Sequence, residues 1–163
     1  MKRIIIHWTA GAYKPNATDL AHYHYLIDDE GKVYEGNFKP EDNENCHDGH
    51  YAAHTGGGNT GSIGVAMCGM MEYSPLKGIS STEYPLKRIQ CERCFKLIAE
   101  LCQKYYIPIT PDTVMTHYEF GVKNPLTSSA GKIDITVLPD YIISSDKVGN
   151  FIRNKATLYL QNL

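Results

Sequence analysis

The chain has 163 residues, of which 42% are hydrophobic, and this length accommodates one domain with a sizeable core. Its 16 lysine and arginine residues against 18 aspartate and glutamate residues give a formal net charge of −2. This balance provides no overall field that would draw the protein onto nucleic acid or an anionic membrane, so neither partner is expected.

The amino terminus and the cysteine content bear on the cellular compartment. Lys2 and Arg3 precede only about three aliphatic residues, fewer than the core of a signal peptide needs. No later stretch approaches the roughly 20 apolar residues of a membrane-spanning helix. We therefore expect cytoplasmic synthesis without a signal peptide, and no insertion into a membrane. The 5 cysteines are an odd number, which in such a chain favours reduced thiols over a disulfide framework.

The first half of the chain contains the patterns of several strands. The continuous aliphatic run at residues 2–7 is typical of a buried strand. Residues 23–34 contain two short apolar runs on either side of Gly31 and predict a β-hairpin. The polar, glycine-rich residues 36–61 predict a long loop, and such loops are usually functional or mobile. The apolar segment at residues 62–67 predicts another buried strand.

The second half of the chain contains the pattern of a long helix. N-cap candidates at residues 80–83 precede apolar residues that recur at helical spacing as far as Tyr106. Residues 113–116 predict a short strand before His117, followed by a loop, and residues 150–163 predict a final helix. Strands interleaved with at least one long helix predict a single α/β domain with a central mixed β-sheet flanked by helices.

Two of the predicted strands end on a histidine, His7 and His117. Residues at strand ends lie on the rim of a sheet, where a side chain can reach into a cleft. A histidine in this position is by itself more often a hydrogen-bonded polar residue than a metal ligand. A catalytic zinc ion usually takes three protein ligands, so the pair predicts a zinc site only if a third ligand joins it.

Asp134 is the candidate for that third ligand. Lys132 and Asp134 are two residues apart, so in an extended backbone they project to the same face. A carboxylate that binds a metal and an ammonium that stabilises a developing oxyanion suit amide hydrolysis. A Lys-x-Asp pair is also common on protein surfaces, and the residues alone leave both interpretations open.

Two other groups of side chains are alternative candidates for metal or redox sites. His22 and His24 are spaced to chelate a metal from one strand face, but their position beside Tyr23 favours a supporting or packing role. Cys91 and Cys94 form a CxxC pair with no second pair and no thioredoxin-like context, so packing within the predicted helix is favoured.

Five motifs in a fixed order carry a resemblance to a known family. They are HWTAG from His7, HYHYLIDDEGKVYEG from His22, AAHTGGGNTGSIGVAMCG from Ala52, THYEF from Thr116 and KID from Lys132. In order and rough spacing the chain resembles the zinc-dependent N-acetylmuramoyl-L-alanine amidases over about residues 3–140. Their fold is shared with the peptidoglycan recognition proteins and with small phage lysozymes that are amidases, and the resemblance implies this fold here.

The resemblance implies a role for each matched residue. His7, His117 and Asp134 match the zinc ligands of the family, which implies one zinc ion as the cofactor. Lys132 matches the lysine that precedes the third ligand, and Tyr23 matches a tyrosine that lines the catalytic cleft in phage-type members. Both are therefore expected to act in catalysis.

Three further residues are candidates for contact with the substrate. His54 and Asn59 lie in the loop before the SIG motif, at the spacing of polar residues that face the substrate in the family. Trp8 follows His7 directly and is a candidate wall of the cleft, although a lone tryptophan after a buried strand is at least as often a core residue.

The chain departs from the family pattern at three places. Ile135 and Thr136 stand where proline and glycine often follow the aspartate ligand. Ala66 stands where bacterial recycling amidases carry a glutamate, which places the chain nearer the phage lysozyme-type branch. The interval between His117 and Asp134 is longer than in the shortest members, so we expect it to form an extra wall of the cleft.

The implied activity is zinc-dependent hydrolysis of the amide bond between N-acetylmuramic acid and L-alanine in bacterial peptidoglycan, by a phage or prophage endolysin. A zinc-activated water would attack the carbonyl, Lys132 would stabilise the oxyanion, and Tyr23 would orient the water or protonate the leaving amine. The expected partners are peptidoglycan or muropeptides. We also expect a monomer whose catalytic domain occupies residues 1–163, without a separate wall-binding domain.

Two alternative functions remain. A non-catalytic peptidoglycan-binding module would share the fold, but such proteins typically lack a metal-binding residue at the position that Asp134 occupies. A zinc peptidase that cuts the stem peptide would use the same metal chemistry and differ only in the amide bond that its cleft accepts.

Overall fold

Five strands form the sheet of this computed structural model, which describes residues 1–163. The strands are β1 (Arg3–Trp8), β2 (Tyr25–Ile27), β3 (Val33–Glu35), β4 (Ser62–Met67) and β5 (Val114–Thr116). Their order across the sheet is β3-β2-β4-β1-β5. β1 pairs in parallel with β4 and β5, β2 pairs in parallel with β4, and β3 is antiparallel to β2. The prediction of a single α/β domain with a mixed sheet is confirmed.

Four α-helices surround this sheet: α1 (Ala17–His22), α2 (Arg88–Tyr105), α3 (His117–Lys123) and α4 (Val148–Gln161). Three short 3-10 turns add Pro40–Glu44, Ile79–Ser81 and Ser145–Lys147. No helix combines the length and the apolar composition that a bilayer-spanning segment needs.

The central strand β1 divides its side chains between two buried faces of the sheet. Ile4, Ile6 and Trp8 belong to the main apolar cluster, to which α2 and α4 also contribute. Ile5 packs on the opposite face, and His7 shares that face because side chains alternate along a strand. Burial on both faces explains why the strand is a continuous aliphatic run.

Helices α2 and α4 cover the first of these faces. Cys91, Cys94, Phe95 and Ile98 of α2 are fully buried in the main cluster, together with Ile152 of α4. The two cysteines of the CxxC pair therefore pack in the core, as the sequence predicts. Burial raises the pKa of the Cys94 thiol to about 12.

The predicted start of the long helix is wrong. α2 begins at Arg88, whereas residues 79–81 form a separate 3-10 turn. Pro85 follows that turn, and a proline disfavours helical backbone at the preceding residue. The cap is formed instead by Gln90, whose Oε1 accepts a hydrogen bond from the Lys87 amide at 3.1 Å.

Two short helices are absent from the sequence predictions. His117 does not end a strand before a loop but begins α3, where the Thr116 hydroxyl accepts a hydrogen bond from the Glu119 amide at 3.1 Å. In α1, Asn16 accepts from the Asp19 amide at 2.8 Å. Each is a capping box, a pattern visible in the sequence, but each helix has too few residues for helical periodicity to reveal it.

Candidate metal centre

His7, His117 and Asp134 converge at the carboxyl ends of β1 and β5. These strands are neighbours and run in parallel, so the end of β1 and the start of α3 lie side by side. His7 Nδ1 lies 3.0 Å from Asp134 Oδ2, and His117 Nδ1 lies 3.3 Å from Asp134 Oδ1. Their potential ligand atoms all lie within 4.8 Å of one another, close enough to bind one metal ion.

The backbone around Asp134 does not form the extended segment that was considered from the sequence. Residues 130–131 and 134–135 form turns, and no strand passes through this segment. The Tyr118 amide, in the first turn of α3, donates to the Asp134 carbonyl at 2.6 Å and so holds the third candidate ligand beside His117. Lys132 and Asp134 nevertheless line the same cleft.

The outer nitrogen of His117, Nε2, points away from Asp134 and donates a hydrogen bond to Ser129. Its Nε2 lies 3.0 Å from Ser129 Oγ, and Ser129 Oγ donates to the Gly56 carbonyl at 2.7 Å. A carbonyl oxygen only accepts, so the single hydroxyl proton of Ser129 is committed to Gly56. This contact favours the tautomer with the proton on Nε2, which turns the Nδ1 lone pair toward the candidate metal site, whereas without a metal Nδ1 can instead donate its proton to Asp134.

The outer nitrogen of His7 is also occupied. His7 Nε2 lies 3.1 Å from His54 Nδ1 and 3.4 Å from Thr55 Oγ1. His54 reaches this position because β4 has Gly64 beneath its ring, where a Cβ atom would lie 2.5 Å from the imidazole. When His7 carries its proton on Nε2, His54 and Thr55 accept it and His7 Nδ1 is free to bind a metal.

The charges of the three candidate ligands suit a divalent cation. Burial lowers the pKa of His7, although the hydrogen bond to Asp134 opposes this effect. Burial alone would raise the pKa of Asp134, but hydrogen bonds from His117 and His7 lower it overall. A neutral imidazole and an ionised carboxylate are the forms that bind metals.

A cleft of about 820 Å³ opens over this group. It is lined by seven of the eight residues that the sequence singles out: Trp8, Tyr23, His54, Asn59, His117, Lys132 and Asp134. The eighth, His7, lies beneath them with 1% of its surface exposed. The Tyr23 ring lies 5.2 Å from the His7 ring, and burial, with a smaller contribution from the Asp134 charge, raises the pKa of Tyr23.

Of the three residues predicted to contact substrate, Trp8 and His54 are buried and Asn59 is half-buried, although all three line the cleft. Trp8 is 5% exposed and packs edge-on against Tyr73, so most of its ring belongs to the core. His54 is 7% exposed, behind His7. The side chain of Asn59 accepts hydrogen bonds from the His54 and Thr55 amides at 3.0 Å and 2.8 Å, which shapes the loop that carries them.

Nearby His24 is not a candidate ligand, because both ring nitrogens are engaged. Its Nδ1 accepts from the Gly64 amide at 2.9 Å, and its Nε2 donates to Asn43 Oδ1 at 2.9 Å. Burial lowers the pKa of His24 to about 4, so the ring is neutral at neutral pH. This agrees with the supporting role expected from the sequence.

Two residues that no sequence motif identifies, Ser129 and Thr55, contact the Nε2 atoms of His117 and His7. Ser129 is fully buried, although it lies in a stretch rich in serine, glycine and asparagine that looks like an ordinary loop. Its partners are distant in sequence, 12 residues away for His117 and 73 for Gly56. No local pattern carries such a contact.

Comparison with known proteins places this geometry in a family. The family model for N-acetylmuramoyl-L-alanine amidase matches residues 1–134, while no curated protein matches the chain. Among solved structures, the Staphylococcus aureus hydrolase AmiA in complex with its ligand is 17% identical, with a TM-score of 0.61, and the match covers 99% of this chain and 76% of AmiA.

Two other solved structures share the fold at similarly low sequence identity. AmiD from E. coli, in complex with anhydro-N-acetylmuramic acid-L-Ala-D-gamma-Glu-L-Lys, is 18% identical with a TM-score of 0.56 over 83% of this chain. The match spans only about half of AmiD, 52% of its length. PlyL is 20% identical with a TM-score of 0.50, over 94% of this chain and 82% of PlyL.

At these identities the solved structures establish the fold, whereas the family model extends over most of the chain and ends on Asp134, the last of the three converging residues. This protein, with its His/His/Asp metal-site triad, belongs to the N-acetylmuramoyl-L-alanine amidases, a family of enzymes.

Proposed function

We propose that the protein hydrolyses the amide bond between N-acetylmuramic acid and L-alanine in bacterial peptidoglycan, with one zinc ion as its cofactor. The observation that carries the proposal is the convergence of His7, His117 and Asp134 at the base of a cleft that Lys132 and Tyr23 also line. Membership of the amidase family supports the choice of this bond over other amides.

The donor set suits zinc. Two imidazole nitrogens and one carboxylate are typical of catalytic zinc sites, in which three protein ligands leave a further position for water or substrate. His7 Nδ1, His117 Nδ1 and an Asp134 carboxylate oxygen would hold the ion, and the cleft lies on their open side. When bound, zinc supplies a Lewis acid that polarises the amide carbonyl and lowers the pKa of a water molecule.

Lys132 and Tyr23 would act on the substrate directly. The Lys132 ammonium is exposed at the cleft and would stabilise the negative charge that develops on the attacked carbonyl oxygen. The hydroxyl of Tyr23, whose ring lies 5.2 Å from the His7 ring, would orient the attacking water or pass its proton to the leaving alanine amine.

The cleft has room for a muropeptide. Its volume of about 820 Å³ lies in the upper part of the range of small-molecule sites. AmiD is solved with an anhydromuramyl tripeptide, and a ligand of that chemistry is the occupant that we propose for this cleft.

We further propose that the chain acts as a phage or prophage endolysin. Ala66 supports this proposal: it lies across from His7 in the β1–β4 register and is fully buried. A methyl group there offers no carboxylate to take a proton, so Tyr23 and Lys132 would assist the water instead. This is the residue pattern of the phage lysozyme-type branch that the sequence resembles.

The proposal is tested by mass spectrometry of the products from purified peptidoglycan, with zinc-loaded and chelator-treated protein in parallel. Stem peptides with a free amino-terminal alanine, absent after chelation, are the expected result. Cleavage within the stem peptide would instead identify a zinc peptidase. Peptidoglycan that binds the protein but is not cleaved would identify a binding module.

The endolysin proposal needs a second comparison, between purified sacculi and a soluble muropeptide as substrates. An endolysin acts on the intact wall, so we expect release of alanine-terminated peptides from sacculi at a rate at least comparable to that from the muropeptide. Cleavage confined to the soluble muropeptide would indicate wall recycling and contradict the endolysin assignment.

A further inference from the structure

We infer that Ser129 is a positioning residue that sets the tautomer and orientation of His117 for metal binding. The inference rests on the proposed zinc site but not on the identity of the bond that is cleaved. Ser129 Oγ stands between His117 Nε2 at 3.0 Å and the Gly56 carbonyl at 2.7 Å, and it is fully buried.

The direction of these hydrogen bonds determines the chemistry of His117. Because the Ser129 hydroxyl donates to a carbonyl, it can only accept from His117, and the imidazole proton is held on Nε2. The lone pair on Nδ1 is then directed at the site shared with Asp134. With the opposite tautomer, Nδ1 would carry a proton toward the metal and two acceptors would face each other at Nε2.

The backbone is shaped to bring the serine this close. At Gly121 of α3, a Cβ atom would lie 2.2 Å from the Ser129 carbonyl oxygen. At Gly56, a Cβ atom would lie 1.8 Å from Ser128 Oγ. Glycine at these two positions lets the Ser129 segment pack against both the helix of His117 and the loop that carries His54.

The same loop reaches the second histidine. His54 and Thr55 contact His7 Nε2, and the next residue, Gly56, receives the Ser129 hydrogen bond. Three consecutive residues therefore hold, directly or through Ser129, the outer nitrogens of both histidine ligands. Such outer partners orient metal ligands, and their loss typically weakens metal binding by about 10- to 100-fold.

The first test requires no substitution. Long-range ¹H–¹⁵N spectra of zinc-loaded wild-type protein at about pH 8.5, above the ordinary histidine pKa of about 6.5, report which ring nitrogen carries the proton and which binds the metal. We expect the Nε2–H tautomer for His117. An Nδ1–H tautomer would overturn the inference, whatever the protein does to peptidoglycan.

The second test measures zinc affinity by competition with a chromophoric chelator. Ser129→Ala is expected to weaken zinc binding about 10- to 100-fold and to broaden or shift the His117 tautomer signal. Ser129→Thr, which keeps the hydroxyl, is expected to restore most of the affinity. The matched control is Ser128→Ala, because Ser128 is exposed at the cleft and is expected to have no effect on zinc affinity.

Wild-type zinc affinity in Ser129→Ala would overturn the inference, as would equal losses in Ser129→Ala and Ser128→Ala. These results are independent of the amidase assay. If zinc binding depends on Ser129 but no alanine-terminated peptide is released, the proposed function fails while the role of Ser129 stands.

Discussion

On the face of the sheet covered by α2 and α4, the buried side chains are almost all apolar, and Phe95 and Ile98 are among those that are fully buried. On the opposite face, the buried residues include His7, His54 and Asp134, joined by hydrogen bonds rather than by apolar packing alone. β1 contributes to both faces through alternate residues. One strand therefore connects the part of the molecule that stabilises the fold to the part that is suited to chemistry.

Hydrogen bonding explains how buried polar groups are tolerated on the second face. A buried polar group without a partner costs about 1–3 kcal/mol, so each must be hydrogen-bonded. Every buried histidine here has partners on its ring nitrogens, supplied by residues such as Asn43, Thr55 and Ser129. The apolar face has no comparable requirement, and we expect substitutions on the two faces to affect different properties.

The largest effect on stability is expected from the apolar face. Phe95 is fully buried and packs near the rings of Tyr141 and Phe151. Phe95→Ala removes this packing and leaves a cavity, so we expect the free energy of unfolding to fall by about 3–5 kcal/mol in urea denaturation. Zinc affinity of the folded protein should be unchanged. Weaker zinc binding in proportion to the lost stability would show that the two faces are not separable.

The reciprocal change on the polar face is Asp134→Asn. It keeps the shape of the side chain but removes the charge that faces His7 and His117. We expect zinc binding to weaken by more than the factor of about 10² that marks the upper range for outer partners, because a ligand itself is altered. The melting temperature of the metal-free protein should change far less than in Phe95→Ala. Zinc affinity equal to that of the wild type would remove Asp134 from the ligand set.

Lys132 distinguishes catalysis from metal binding on the same face. Lys132→Ala is expected to lower kcat by about 10²-fold, the usual effect of losing one oxyanion donor, with little change in KM or in zinc affinity. Steady-state kinetics on a defined muropeptide measure the two parameters separately. An unchanged kcat would exclude the lysine from the mechanism.

The two faces should also differ in the pH dependence of stability. The pKa of buried His24 is lowered to about 4, so between about 6.5 and 4 the unfolded chain binds a proton there that the folded chain does not. Stability of the metal-free protein should therefore fall gradually as the pH decreases through this window. A free energy of unfolding that is constant from pH 7 to pH 4.5 would contradict this account.

Glu92 provides the contrast on the α2 face. Burial alone would raise the pKa of this carboxyl, but hydrogen bonds from Tyr141 and then Lys155 lower it below its ordinary value of 4.5. Its contribution to stability is present above about pH 4.5 and is lost only as the pH falls further. Glu92→Gln should therefore alter the pH dependence of stability only below about pH 4.5, at the acid end of the His24 window and beyond it.

The sequence predicted the parts of the fold that repeat a local pattern. The aliphatic run of β1 and the periodic apolar residues of α2 identify a buried strand and a long helix. Local patterns failed at the boundaries: residues 80–83 look like N-caps, yet Pro85 delays the helix to Arg88. They also failed for α1 and α3, which are too short to display a period.

The candidate site was predictable where the family motifs name its residues and not where contacts cross the chain. His7, His117, Asp134 and Lys132 stand in recognisable motifs, and the structure places them around one cleft or beneath it. The hydrogen bond from Ser129 to Gly56 spans 73 residues and depends on the packing of two loops. Only the folded chain reveals it.

The central claim is that the polar face is a zinc-dependent amidase centre. It is tested most directly by titrating zinc into chelator-treated protein while the release of alanine-terminated stem peptides from peptidoglycan is measured. We expect no release without metal and release that saturates at one zinc ion per chain. At zinc concentrations that load the wild type but not Asp134→Asn, the variant should release no peptide. Full release from protein that contains no metal would contradict the account.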